Sequence, residues 1–136
     1  MRIKFLTAFI LFTFAAFSQN EEAIMNPDVM PEYPGGPENM MKFISSHLKP
    51  INEIPKDSGY TGCKSMVEFT IGKDGKVKNV LIVRSCVNCS ACDTEAIKAI
   101  EKMPKWKPGL KDNKPVDVKM GLPIFFYQNK AASGPY

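Results

Sequence analysis

Met103-Pro104-Lys105-Trp106-Lys107-Pro108-Gly109 is the stretch on which the fold of this chain turns. It holds the only tryptophan of the 136 residues. A helix-like segment precedes it and a strand-like segment follows. A large aromatic in such a connector anchors helix onto sheet. The residue before a proline is disfavoured in helical conformation, so the helix stops ahead of Met103-Pro104, and Pro108 stiffens the exit.

Reading outward, Ser90 to Met103 carries Ala96, Ile97, Ile100 and Met103 on one helical stripe, with Ser90 or Asp93 placed to cap it. Beyond the connector, Val116, Val118, Met120, Leu122, Ile124 and Phe126 alternate with Asp117, Lys119, Gly121, Pro123 and Phe125. This predicts a long last strand with one buried face. Upstream, Gly62 to Ile71 alternates as a strand, Gly72-Lys73-Asp74-Gly75-Lys76 is a hairpin turn, and Val77 to Ser85 returns. The apolar run Val80 to Val83 predicts a central or helix-covered strand. Pro37 to Leu48 reads as a first helix closed by Pro50, and Ile51 to Thr61 as a connector. The order helix, hairpin, helix, strand predicts an α+β two-layer sandwich. Its three-stranded antiparallel sheet has two helices on one face.

Pro31-Glu32-Tyr33-Pro34-Gly35-Gly36 opens the domain and Trp106-Lys107-Pro108-Gly109 precedes its last strand. Both motifs, in this order, resemble the C-terminal domain family of TonB, the periplasmic arm of outer-membrane energy transducers. The resemblance runs from about Met30 to Tyr127. It implies structural anchors at Tyr33, Pro34, Gly35, Gly36, Trp106, Pro108 and Gly109. It also implies that the last strand lies at the sheet edge and takes an extended peptide of an outer-membrane transporter beside it. Strand addition draws affinity from backbone groups and selectivity from alternate side chains. The partner-binding candidates are therefore Val116, Val118, Lys119, Met120, Leu122, Ile124 and Phe125. Pro123 lacks an N–H, which suits an edge. Phe125 faces away from the core stripe, either as an anchor for the partner or packed under the C-terminal tail.

The chain shows no catalytic constellation, so the expected class is a non-enzymatic interaction module without a cofactor. His47, the only histidine, sits on the first helix's apolar stripe. Gly35-Gly36 reads as a tight turn, with an anion cradle as the sharper reading. Cys63 lies near the start of the first hairpin strand, and Cys86, Cys89 and Cys92 follow the second at three-residue spacing. The hairpin brings Cys63 opposite Ser85 or Cys86, so all four thiols gather at one end of the sheet. An exported chain favours disulfides, and Cys63–Cys86 with Cys89–Cys92 fits the hairpin best. A four-thiolate metal site and a redox-active dithiol are the alternatives. A thiol-disulfide or metal-handling protein is accordingly the rival function.

Met1 to Ser18 reads as a secretory signal, with Arg2 and Lys4 ahead of the apolar run Phe5 to Phe17 and small residues at Ala16 and Ser18. That run is shorter than the roughly 20 residues a spanning helix needs. The expected location is periplasmic or secreted, with an uncleaved anchor as the alternative. The net charge of +4 includes Arg2 and Lys4, so the mature chain is mildly basic and lacks a nucleic-acid footprint. Lys102, Lys105, Lys107, Lys111 and Lys114 read as a solvated rim, or as a patch for an acidic partner. Residues 19–30 read as a flexible lead-in, 31–128 as the domain and 129–136 as a tail. The lead-in holds no proline-rich spacer of the kind the family's transducers carry. A stand-alone module is therefore expected, with a membrane-anchored transducer as the alternative.

Overall fold

The computed structural model describes residues 22–49 and 62–127. The signal segment, the connector and the C-terminal tail lie outside the described residues. Helix α1 (Gly36–His47) is followed by the hairpin β1 (Gly62–Ile71) and β2 (Val77–Arg84), then helix α2 (Ser90–Glu101). Two short strands, β3 (Gly109–Lys111) and β4 (Lys114–Val116), and the long β5 (Val118–Tyr127) complete the order. The main sheet is antiparallel, ordered β2-β1-β5, and β3 and β4 form a separate small hairpin. The α+β class, the three-stranded sheet and the helix order all match the expectation. None of the described helices is long and apolar enough to cross a membrane.

The core lies between one sheet face and the helices. Val67, Phe69 and Ile71 of β1 meet Val118, Ile124 and Phe126 of β5, and Ile44, Ala96 and Ile100 of the helices close over them. Each large apolar side chain so buried stabilises the fold by about 1.5–3 kcal/mol. Trp106 is the keystone of the connector. Its ring meets Tyr33 nearly at right angles (89°, centroids 5.4 Å apart) and Phe69 at 6.0 Å. Its backbone N–H donates to the Gly75 carbonyl at 2.8 Å. The hairpin turn and the connector therefore lie back to back. Gly75 has φ +82°, and a Cβ there would stand 2.1 Å from the Trp106 carbonyl oxygen, so only glycine fits.

Four details depart from the sequence reading. The run Val80 to Val83 is not doubly buried: β2 is an edge strand, and Leu81 and Val83 are exposed. Asn79, at φ 53°, lies in a bulge between the Glu68↔Leu81 and Thr70↔Lys78 pairs that turns the strand's faces. The last strand breaks at Asp117, so Val116 belongs to β4 and not to β5. Neither Ser90 nor Asp93 caps α2. Cys89 is the N-cap, its sulfur accepting from the Cys92 N–H, while the Asp93 carboxylate accepts from Ser65 Oγ and the Cys86 N–H.

The fourth departure concerns residues 22–30. In place of an aperiodic lead-in they form a strap bonded through its backbone. Ile24 N–H donates to the Asp117 carbonyl, and Lys119 N–H donates to the Ile24 carbonyl, at 3.0 and 2.9 Å. Val29 and Leu110 exchange both bonds, as do Glu32 and Lys107. Asp28 adds contacts to the Lys111 ammonium and the Asp112 N–H. Those two donors, the backbone one first, hold its carboxyl below the ordinary aspartate value.

Candidate functional site

β5 is the outer strand on one side of the sheet, and its register with β1 is unbroken from Ile71↔Val118 to Gly62↔Tyr127. Successive residues of a strand send their N–H and C=O groups to opposite sides. The Lys119 N–H and the Asp117 carbonyl both point to the strap, away from β1. Alternation then assigns Gly121, Phe125 and Tyr127 N–H groups to the same outward side, and those of Met120, Leu122, Ile124 and Phe126 to the β1 ladder. Pro123 sits in the outward set, where its missing N–H costs the ladder nothing. Among the described residues, none of these three outward N–H groups has a backbone partner beyond the sheet. The strap covers the edge at Val118, and from Met120 onward no other described segment bonds to it.

The predicted partner-binding residues divide accordingly. Val116 stands apart in β4. Val118 is buried against Gly109 of β3, while Ile124 is buried and Met120 and Leu122 are half-buried against the helix-covered core. The Lys119 N–H is already bonded to the strap, and its ammonium lies 3.4 Å from Glu68. Phe125 is 42% exposed on the helix-free face, and Tyr127, next on that face, is 50% exposed. Sequence reasoning missed Gly121 and Tyr127. Pro123 was the available signal, because a proline tolerated in a long strand marks which parity faces outward.

Asp117 fixes the corner where the strand begins. One carboxylate oxygen accepts from the Lys73 N–H at 2.8 Å and the other from the Lys78 ammonium at 2.5 Å. Burial pushes its carboxyl up, but the Lys78 and Lys73 contacts outweigh that and hold it below the ordinary value. The corner therefore ties β5 to the hairpin turn and to β2.

The cysteines form two disulfides, Cys63–Cys86 and Cys89–Cys92. Cys86, Cys89 and Cys92 are buried and Cys63 is half-buried. Cys63 pairs with Phe126 across the ladder, so the cluster closes the end of the sheet where β5 finishes. His47 stacks on Phe43 at 3.9 Å and its Nδ1 donates to the Phe43 carbonyl, a packed helix residue. Gly35 and Gly36 both have φ +81°, the tight turn that starts α1. Tyr33 is buried against Trp106, Pro34 is exposed ahead of that turn, and Pro108 leads into a buried Gly109. The five clustered lysines are all exposed.

The model of the family described as Gram-negative bacterial TonB protein C-terminal matches residues 56–127. Among solved structures, the solution structure of the TonB C-terminal domain of Helicobacter pylori is 22% identical. That match covers 71% of this chain and 88% of that chain, with a TM-score of 0.37. No curated protein matches the chain.

Proposed function

The chain belongs to the TonB C-terminal family, and on that premise we propose that it is an exported, non-enzymatic interaction module that binds an extended peptide by strand addition along β5. The observation that carries this reading is the open edge from Met120 to Tyr127. Its outward N–H groups lack backbone partners among the described residues beyond the sheet. A bare edge of this kind is a template for another strand. The added segment would take its hydrogen bonds from Gly121, Phe125 and Tyr127. Its side chains on the helix-free face would meet the exposed rings of Phe125 and Tyr127. Two aromatics beside a backbone ladder supply apolar contact area where the ladder alone supplies little selectivity. The partner class that the family suggests is the N-terminal segment of an outer-membrane transporter, met in the periplasm.

Amide shift mapping tests the proposal. Peptides from the N-terminal segments of such transporters, added to the labelled chain, should move Gly121, Phe125 and Tyr127 first and leave α1 unmoved. Shifts confined to the Cys86–Cys92 loop, with β5 silent, would refute edge binding.

A further inference from the structure

Strand addition makes no use of the sulfur cluster. The Sγ atoms of Cys63, Cys86 and Cys92 all lie within 4.8 Å of one another. Cys63 and Cys92, which belong to different disulfides, bring their sulfurs to 3.6 Å. Cys89 adds the fourth sulfur, bonded to Cys92. Four thiolates around a tetrahedral ion, with metal–sulfur bonds of about 2.3 Å, stand about 3.8 Å from each other. Opening the two S–S bonds brings the Cys63, Cys86 and Cys92 sulfurs to that spacing with shifts of about 2 Å, and Cys89, which lies outside this group of three, completes the set by a movement of its loop. Cys86-x-x-Cys89 and Cys89-x-x-Cys92 also have the short spacing of structural thiolate sites.

We propose that the reduced chain is a closed four-thiolate site for one zinc-like divalent ion, formed by Cys63, Cys86, Cys89 and Cys92. Disulfides and metal are then two alternative staples of the same sheet end. A dithiol reductant gives each disulfide two electrons and two protons and itself becomes a disulfide. The ion takes the four sulfurs as thiolates, and four protons pass to solvent.

Two features suit a structural metal site. Cys89 is 2% exposed and Cys92 is 0% exposed, so an ion held there is shielded from solvent. Closed surroundings are what structural metal sites have. Outer-shell support is also present. The Cys92 N–H donates to Cys89 Sγ at 3.2 Å, and Asp93 holds the Cys86 N–H.

The test is a Co²⁺ titration of the full chain, reduced with a phosphine, under exclusion of oxygen. The expected result is one Co²⁺ per chain, with thiolate charge-transfer bands in the near ultraviolet and visible bands of tetrahedral intensity. Zinc should displace both sets of bands. The oxidised chain should give neither. Outer-shell partners alone change metal affinity about 10- to 100-fold, so Cys63→Ser or Cys92→Ser should weaken binding at least ~10-fold. Amide spectra of the zinc-loaded chain should keep the dispersion of the oxidised one along β5. The proposal is overturned by no bands, by equal binding in both serine variants, by one ion per two chains, or by an ion held on a chain whose amide dispersion has collapsed.

Discussion

Proline substitutions along β5 should sort by the parity of the residue number. The outward parity contains Gly121, Pro123, Phe125 and Tyr127, and the ladder parity contains Met120, Leu122, Ile124 and Phe126. Leu122 pairs with Val67, which is fully buried. Leu122→Pro deletes a ladder N–H and leaves a buried carbonyl of β1 unpaired, at about 1–3 kcal/mol beyond Leu122→Ala. For a domain of this size that lowers the melting temperature by about 4–24 °C relative to the alanine variant. Phe125→Pro deletes an N–H that faces outward, so its melting temperature should stay close to that of Phe125→Ala. Its effect should appear in peptide affinity. One hydrogen bond of about 0.5–1.5 kcal/mol corresponds to about a two- to twelve-fold weaker Kd than for Phe125→Ala. Thermal melting and peptide titration of the four variants provide the assay, with each alanine cancelling the lost side chain. Equal destabilisation by the two prolines, or unchanged affinity in Phe125→Pro, would show that the edge assignment is wrong.

Trp106→Ala should destabilise the fold by about 3–5 kcal/mol. A variant that melts like the parent would contradict the anchoring role. Breaking Cys63–Cys86, whose partners are 23 positions apart, should cost more than breaking Cys89–Cys92, 3 positions apart, because loop-closure entropy grows with span. On that measure the gap is about 1.5 kcal/mol, to be read from urea melts of the two paired serine variants under non-reducing conditions. The Asp117 carboxyl is held below the ordinary aspartate value in the folded state. Its stabilisation is therefore present above that pH and is lost as pH falls through the lower folded value. Asp117→Asn should flatten the acid limb of a stability-against-pH curve, and an unchanged limb would remove Asp117 from the account.

Much of this architecture was legible in residue patterns because those patterns have a local cause. Gly62 to Ile71 alternates and Asp74-Gly75 turns, so β1 and its hairpin could be read directly, and the hairpin brought Cys63 to Cys86. What stayed hidden has non-local causes. The apolar run Val80 to Val83 looks buried on both faces until Asn79 adopts φ 53° and turns part of the run to solvent. The alternation of Val116 and Val118 runs unbroken across a corner that Asp117 makes through Lys73 and Lys78, residues about 40 positions away. The strap leaves no periodic signature at all, because its bonds are between backbone groups. The last strand lies at the sheet edge as expected, and its outward-facing subset, hinted at by Pro123, is fixed by the Lys119–Ile24 bond.

The strap also dictates an order of assembly. Asp28 and the Asp112 N–H it accepts from lie 84 positions apart. Closing so long a loop is costly until the β3–β4 hairpin exists to receive it, so this contact belongs to the end of folding. Residues 24–32 leave the ribosome well before their partners, from Lys107 to Lys119. Until the strap docks, the beginning of β5 is as bare as its end. The docking step shortens the exposed edge, and a newly made chain passes through a stickier form of itself on the way.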